Sequence, residues 1–207
     1  MIAIINYGVG NLFSISRSLR FIGWDCVVTD EKRVIEDASH IVLPGVGAFG
    51  DAARKLSETG LIPTLDQCVK KGKPFLGVCL GMQLLFEKSY EYGEHTGLGY
   101  IKGEVCPMEP DLNAVGKDLK IPQMGWNALK LIDKNNPLMK NTLEGEHMYF
   151  VHSFYAKKCR ESLVATVEYG VEVPAVAANE NVFGCQFHPE KSGDCGLKIL
   201  KAFGGLA

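Results

Sequence analysis

The strongest constraint on the fold lies where a short apolar run passes into a stretch of helical periodicity at a single cysteine. Pro74–Val78 has the composition of a buried strand, and Leu80–Lys88 carries apolar residues at helical spacing. Cys79 stands between them, with a glycine two residues before it and another two residues after it. Small residues at those positions allow a sharp turn from strand to helix, with one nucleophile at the turn. The segment therefore predicts a nucleophile elbow; the alternative is a buried structural cysteine.

A second segment near the C-terminus supplies a histidine and a carboxylate. Val182–Gln186 is typical of a strand, and His188 follows where that strand ends. Strand ends are where functional residues collect in α/β sheets. Glu190 comes two residues later, so its carboxylate is able to orient the imidazole. We therefore predict a thiol version of the Ser-His-Asp arrangement, with Cys79 as nucleophile, His188 as proton-transfer group and Glu190 as its orienting partner.

The first half of the chain alternates between strand patterns and helix patterns. The strand-like runs are Ile2–Asn6, Cys26–Thr29 and His40–Leu43. The helix-like runs are Asn11–Phe21, Asp51–Leu56 and Leu61–Lys70, the first of them with Asn11 as its predicted N-cap. This alternation predicts an α/β fold with a mostly parallel central sheet and helices on both faces.

The second half changes character. From Ile101 to Phe187 there are repeated β-rich runs, such as Met148–Phe154 and Leu163–Glu168, separated by turn residues. They predict antiparallel β additions beside the parallel sheet, and Gly193–Phe203 predicts a closing helix. Because no repeat, low-complexity tract or linker interrupts the sequence, we expect residues 1–207 to form one domain.

Composition argues against several classes of partner. The net charge is −2 and lysine and arginine form no dense run, so nucleic acid is not an expected partner. No apolar stretch approaches the roughly 20 residues that a membrane helix needs, and Met1–Asn6 reads as a first strand, not a signal peptide. Seven cysteines without any Cys-x-x-Cys pair are typical of a reducing compartment. We therefore expect a cytoplasmic protein without a membrane partner.

Neither a metal nor a cofactor is predicted. Cys185, His188 and Cys195 do not have the spacing of a paired zinc knuckle and have no fourth ligand near them in the sequence. Gly8-Val9-Gly10 follows the first strand, but Phe13 stands where a dinucleotide-binding motif needs its third glycine.

Several segments resemble one family. The sequence Gly-Val-Cys-Leu-Gly-Met-Gln around Cys79 and the sequence Phe-His-Pro-Glu around His188 resemble the class I, triad-type glutamine amidotransferases. Within that class, four further segments are similar to the glutaminase subunits of imidazole glycerol phosphate synthase: Asn6–Asn11, Pro44–Phe49, Met124–Asn127 and Tyr149–Phe154. The resemblance covers essentially the whole chain. Gln123 departs from it, since that group commonly has histidine before Met-Gly-Trp-Asn.

This resemblance implies an activity and a partner. The chain is expected to hydrolyse L-glutamine to glutamate and ammonia and to pass the ammonia to a (β/α)₈ cyclase subunit in a heterodimer. That cyclase forms imidazole glycerol phosphate and an aminoimidazole carboxamide ribonucleotide in histidine biosynthesis.

The resemblance also implies roles for individual residues. Backbone N–H groups in the Val46–Gly47 loop, together with that of Leu80 after the nucleophile, are expected to form an oxyanion hole. The residues expected to bind glutamine are Gln83, Glu91, Tyr149, His152 and Ser153. Those expected to face the cyclase are Asn11, Arg17, Met124, Trp126, Asn127 and Lys191. For Trp126, a place in the core is an equally good interpretation of the sequence alone.

Three other readings stay open at this stage. The same chemistry could serve a different synthase, such as a surface-sugar amidotransferase, anthranilate synthase or pyridoxal phosphate synthase. A stand-alone cysteine hydrolase would be active without a partner. A non-catalytic binding module is the least compatible with an intact Cys79, His188 and Glu190.

Overall fold

The computed structural model describes all residues from Met1 to Ala207. The strands are β1 Ile2–Ile5, β2 Cys26–Thr29, β3 His40–Gly45, β4 Phe75–Cys79, β5 Lys88–Ser89, β6 His95–Thr96, β7 Glu104–Pro107, β8 Gln123–Ala128, β9 Lys130–Leu131, β10 His147–His152, β11 Phe154–Lys157, β12 Leu163–Tyr169, β13 Val171–Asn179 and β14 Val182–Cys185. The helices are α1 Leu12–Phe21, α2 Lys32–Asp37, α3 Phe49–Glu58, α4 Ile62–Lys70, α5 Leu80–Leu84, α6 Glu109–Ala114 and α7 Gly193–Gly204. None of these helices has the length and apolar character needed to cross a membrane.

The central sheet has eight strands in the order β2-β1-β3-β4-β14-β13-β12-β9. The first five of these run parallel to one another, and β13, β12 and β9 are added in antiparallel fashion. Two smaller sheets lie beside it, one made of β10 and β8 and the other of β11, β7, β5 and β6. The predicted α/β fold with antiparallel additions is therefore confirmed.

The parallel strands are buried on both faces, as their nearly continuous apolar runs require. Along β1, Ile2 and Ile4 belong to one hydrophobic cluster, whereas Ala3 and Ile5 belong to a second cluster on the other side of the sheet. The first cluster contains buried apolar residues of α1 and α7, and the second contains those of α2, α3, α4 and α5. Helices therefore cover both faces of the sheet.

The periodicity of Leu80–Lys88 predicts a longer helix than α5, which ends at Leu84. In a longer helix, the carbonyl oxygens of the last turn would accept hydrogen bonds from within the helix. Here they accept hydrogen bonds from the segment at residues 97–101. Leu98 N–H donates to Leu84 O at 2.8 Å, and Ile101 N–H donates to Leu85 O at 3.0 Å. These tertiary hydrogen bonds end the helix in spite of its apolar spacing.

Two details at the N-terminal end also differ from the expectation. Helix α2 was not predicted, since its six residues carry little periodic signal. Asn11 holds the predicted N-cap position of α1, but its side chain makes no capping hydrogen bond. Its amide Nδ2 instead donates to Glu190 Oε1 at 3.4 Å.

Three glycines allow β3, β4 and α5 to meet backbone to backbone. A Cβ on Gly45 would lie 2.6 Å from Gly81 N, and a Cβ on Gly77 would lie 2.6 Å from Gly81 O. A Cβ on Gly81 would overlap the carbonyl oxygen of Leu43. Glycine is required at these positions because rigid backbone atoms occupy the space of a side chain.

We expect Gly81→Ala to lower the free energy of unfolding by about 3 kcal/mol, because the new methyl group forces β3 away from α5. Gly205→Ala is the matched control: Gly205 has a φ of −95° at the end of α7, and its nearest neighbours would be 3.5 Å or more from the Cβ. The control should stay within about 0.5 kcal/mol of the wild type in urea unfolding. Equal stability of the two variants would contradict the close-packing argument.

Candidate active site

Cys79 lies at the point where β4 becomes α5. Its φ of 55° and ψ of −113° place it in a conformation that non-glycine residues rarely adopt. Such strain in the backbone is found where a side chain has to be presented at a sharp turn. The side chain is largely buried, and Sγ is 4.0 Å from the carbonyl oxygen of Val151. The strand, turn and helix of a nucleophile elbow are thus all present.

His188 and Glu190 form a buried pair next to this thiol. Nδ1 of His188 is 2.9 Å from Glu190 Oε1, and the Glu190 side chain is fully shielded from solvent. Burial opposes protonation of the ring, but hydrogen bonds and charge from Cys79 and Glu190 outweigh it and raise the pKa of His188 to about 9. At neutral pH the imidazole is therefore protonated.

The backbone of β10 holds His188 in place. His188 N–H donates to Tyr149 O at 3.0 Å. Ser192 Oγ accepts the Tyr149 N–H at 3.0 Å and donates to His188 O at 2.6 Å. This closed set of hydrogen bonds fixes the backbone of the short turn that carries His188 and Glu190, and the contact of Nδ1 with Glu190 Oε1 orients the ring.

A cavity of about 330 Å³ opens above Cys79, a volume typical of a site for a small molecule. Backbone and side chains from six segments of the chain line it: Val46, Gly47, Cys79, Leu80, Gln83, Glu91, Tyr92, Pro122, Val151, His152, Ser153, Phe154 and His188. The predicted nucleophile, the predicted histidine and both predicted oxyanion segments therefore share one cavity.

The loop after β3 borders Cys79 because β3 and β4 are parallel neighbours. Gly45 pairs with Cys79 in their register, so Val46 and Gly47 continue beside the thiol. Gly47 has a φ of +91°, a conformation that favours glycine, and no atom lies within 4 Å of the place where its Cβ would be. The peptide groups of this loop are therefore close to the nucleophile and free of packing restraint on one side.

Two polar side chains that were predicted to bind the substrate, Gln83 and Glu91, line the cavity. Both N–H bonds of the Gln83 amide are engaged, one with Phe154 O at 2.9 Å and one with Gln186 Oε1 at 3.0 Å, so Gln83 presents its oxygen to the cavity. Glu91 Oε2 accepts the N–H of Phe49 at 2.6 Å. Burial raises the pKa of Glu91, an effect partly offset by the Phe49 N–H and by the charge of His95.

Tyr149 lies elsewhere, although it was grouped with the substrate-binding residues. It does not line the cavity. Its ring packs at 6.0 Å from the Trp126 ring, and Lys191 Nζ lies 6.0 Å from its centre. Trp126 is 54% exposed and Met124 is 62% exposed, which excludes a core position for Trp126. These four residues form a surface patch beside the active site.

The other predicted interface residues lie on the same strand or on nearby elements. Asn127 accepts a hydrogen bond from the fully buried Gln123 at 3.0 Å, and Arg17 is exposed on α1. Asn11 is partly buried and contacts Glu190. Gln123, the residue that departs from the family pattern, therefore points into the protein and not toward the surface patch.

The model of the class-I glutamine amidotransferase family matches residues 3–203 of this chain. The chain belongs to the class-I glutamine amidotransferase family. Solved structures agree on the fold: PurLQS from Thermotoga maritima superposes with a TM-score of 0.74 at 22% identity, covering 98% of this chain and 96% of that one.

Relatives of higher identity refine the comparison. The imidazole glycerol phosphate synthase subunit HisH of Caldanaerobacter subterraneus subsp. tengcongensis is 49% identical, over 100% of this chain and 98% of that protein. The subunit of the same name from Wolinella succinogenes is 46% identical, over 98% of each. The resemblance predicted from the sequence motifs is therefore confirmed over the full length.

Sequence reasoning did not identify every residue that shapes this amidotransferase site. Gln186 and Ser192 flank the His188 turn, and Phe154 and Tyr92 line the cavity. Gln186 and Ser192 lie within two to four residues of His188, which is a signal of proximity but not of role. Phe154 ends the segment Tyr149–Phe154 that carries the family resemblance, although no role was predicted for it, and Tyr92 lies in a loop without a local signal.

His152 has to be neutral in this site. Its Nδ1–H donates to Phe154 O at 2.9 Å, whereas Nε2 is buried without a hydrogen-bond partner. Burial is the main reason that the pKa of His152 falls to about 4, and the charge of His188 lowers it further.

This pKa predicts a loss of stability in acid. As the pH falls from 6.5 toward 4, the unfolded chain binds a proton at His152 that the folded chain does not bind, so the free energy of unfolding decreases. The loss attributable to His152 is on the order of 3 kcal/mol. In urea unfolding across this pH range, His152→Asn should show a correspondingly weaker decline than the wild type. His147→Asn, at an exposed site of the same strand, is the matched control; equal declines in all three proteins would contradict the assignment.

Proposed function

We propose that this protein is the glutaminase subunit of an imidazole glycerol phosphate synthase. It hydrolyses L-glutamine to glutamate and ammonia with Cys79, His188 and Glu190, and it delivers the ammonia to a (β/α)₈ cyclase subunit in a heterodimer. The observation that carries the proposal is the buried His188–Glu190 pair against the strained Cys79, in a chain nearly half identical to HisH subunits. The names of these relatives favour this synthase over the other glutamine-dependent synthases.

The geometry supports a covalent mechanism. The Cys79 thiolate attacks the carboxamide carbon of glutamine and forms a tetrahedral intermediate. His188 gives its proton to the leaving nitrogen, ammonia departs, and a thioester to Cys79 remains. His188 then takes a proton from water, which attacks the thioester and releases glutamate. Glu190 stabilises the charged imidazole throughout, because its Oε1 faces Nδ1.

The cavity offers complementary groups for free glutamine. We assign stabilisation of the oxyanion to the backbone N–H groups of Leu80 and of the Val46–Gly47 loop, which border Cys79. Glu91 and the Gln83 oxygen are acceptors suited to the α-ammonium group. The remaining contacts come from the backbone at His152 and Ser153.

The surface patch supports a partner beside the active site. Met124, Trp126 and Tyr149 combine an exposed thioether with two aromatic rings, which are residue types enriched in protein interfaces, and Lys191 lies beside them. Tyr149 also carries the backbone groups that hold His188. A cyclase on this patch would therefore rest on the strand that positions the catalytic histidine.

We expect Cys79→Ala to abolish glutamine-dependent synthesis while the assembled synthase still runs on supplied ammonia, because the thiol only generates ammonia.

Thiol-directed glutamine analogues should label Cys79 first. Burial raises the pKa of Cys185, and it raises that of Cys159 to about 11, so these thiols are poor nucleophiles. Mass spectrometry of the labelled chain identifies the modified residue. Preferential labelling of another cysteine, or loss of the ammonia-dependent reaction in an intact complex, would contradict the proposal.

We also expect Gly47→Val to lower the glutaminase rate of the complex by about 100-fold, because a β-branched residue disfavours the positive φ that holds this oxyanion segment. Gly72→Val is the control: Gly72 also has a positive φ with open space around it, but it lies at the end of α4. Glutaminase assays of both variant complexes, with the cyclase ligand present and absent, measure the effect. An equal loss of glutaminase rate in both variants would contradict the prediction, because the effect would then come from general destabilisation.

A further inference from the structure

Gln186 contacts two parts of the site at once. It follows β14, two residues before His188, and its side chain is fully buried. Its Oε1 accepts from Gln83 Nε2 at 3.0 Å, and its Nε2 lies 3.9 Å from Cys79 Sγ. No step of the mechanism above uses this residue.

The orientation of the Gln186 amide follows from its neighbours. The carbonyl oxygen of Phe154 is only an acceptor, so the Gln83 atom 2.9 Å from it is the amide nitrogen. That same nitrogen faces Gln186, which has to present its oxygen in return. The remaining Gln186 atom, directed at Cys79 Sγ, is therefore an N–H donor.

The sulfur of Cys79 has a partner for each of its protonation states. A thiol is able to donate its S–H to Val151 O, at 4.0 Å. A thiolate is able only to accept, and it accepts from Gln186 Nε2. In a buried site, a hydrogen bond to the charged form favours that form.

We propose that Gln186 is a positioning residue that stabilises the Cys79 thiolate and fixes the Gln83 amide with the opposite end of the same side chain. This inference rests on the proposed role of Cys79 as nucleophile. Gln186 thereby links Gln83, which we assign to substrate binding, with the nucleophile Cys79. Both belong to one hydrogen-bond chain that starts at the Phe154 carbonyl.

Other charged or titratable groups also face the thiol. His188 interacts with the thiol from the turn after β14, where Glu190 holds its ring; Tyr7 acts on it from the loop after β1, and His152 of β10 lines the same cavity. Burial, followed by the charge of Cys79, raises the pKa of Tyr7, and its hydroxyl donates to Pro44 O at 2.7 Å. Because several groups contribute to any pH profile of Cys79, comparison of variants at one neutral pH isolates the contribution of Gln186.

Two substitutions separate the two ends of the side chain. Gln186→Glu keeps an oxygen acceptor for Gln83 but replaces the N–H donor with a second oxygen. Gln186→Met has a similar length and removes both hydrogen bonds. In the assembled synthase, we expect Gln186→Glu to lower kcat for glutamine by about 10- to 100-fold with KM within about twofold of the wild type. Gln186→Met should lower kcat similarly and also raise KM, because the Gln83 amide loses one anchor.

Alkylation of the full chain by iodoacetamide gives a second readout that needs no substrate. We expect the rate at Cys79 to fall about tenfold or more in both variants. Gln123→Met is the matched control, since Gln123 is equally buried and its amide bonds to Asn127; its alkylation rate should remain within about twofold of the wild type. Ammonia-dependent synthesis by each complex reports that the subunits are folded and assembled.

The outcomes separate this inference from the proposed function. If Gln186→Glu had the same kcat for glutamine and the same rate of Cys79 alkylation as the wild type, the role of Gln186 would be overturned. The proposed function would still stand, provided that Cys79→Ala abolished the use of glutamine. An increase in KM of Gln186→Glu as large as that of Gln186→Met would overturn the link to Gln83. Hydrolysis of glutamine by Cys79→Ala would instead reject Cys79 as the nucleophile.

Discussion

The site depends on backbone contact between β3, β4 and α5. Gly45, Gly77 and Gly81 leave no room for a Cβ, so these segments approach more closely than side chains would permit. This approach holds Cys79 at its positive φ and brings the Val46–Gly47 loop beside the thiol. A side chain at any of the three glycines would separate the segments, and Cys79 would move away from the proposed oxyanion donors.

The topology of the sheet brings together the proposed catalytic residues, which are distant in the chain. β4 and β14 are parallel neighbours, so Cys79 and His188 emerge at the same edge of the sheet. The antiparallel region completes the arrangement, because β10 anchors the His188 turn and contributes Val151 and His152 to the cavity. The parallel half thus presents Cys79, and β10 holds the turn that carries His188.

Burial gives each polar group of the site a defined state. His188 is charged because Cys79 and Glu190 outweigh the cost of its burial, whereas His152, in the same cavity, is neutral because burial outweighs its hydrogen bond to the Phe154 carbonyl. Gln83 and Gln186 have fixed amide orientations for the same reason. In a low-dielectric site, an unmatched group is costly, so the hydrogen-bond partners determine both protonation and orientation.

The sequence by itself determined the elbow, the fold class and the triad residues that we propose, because each has a local signature: glycine spacing, hydrophobic periodicity and a strand-terminal His-Pro-Glu. Only the tertiary structure decided where α5 ends, because N–H groups of a distant loop donate hydrogen bonds to the last carbonyl oxygens of the helix. It also decided that Trp126 is exposed and that Gln186 touches Cys79 from 107 residues away. Such contacts follow from strand register and packing, and a local pattern does not encode which distant residue will lie opposite.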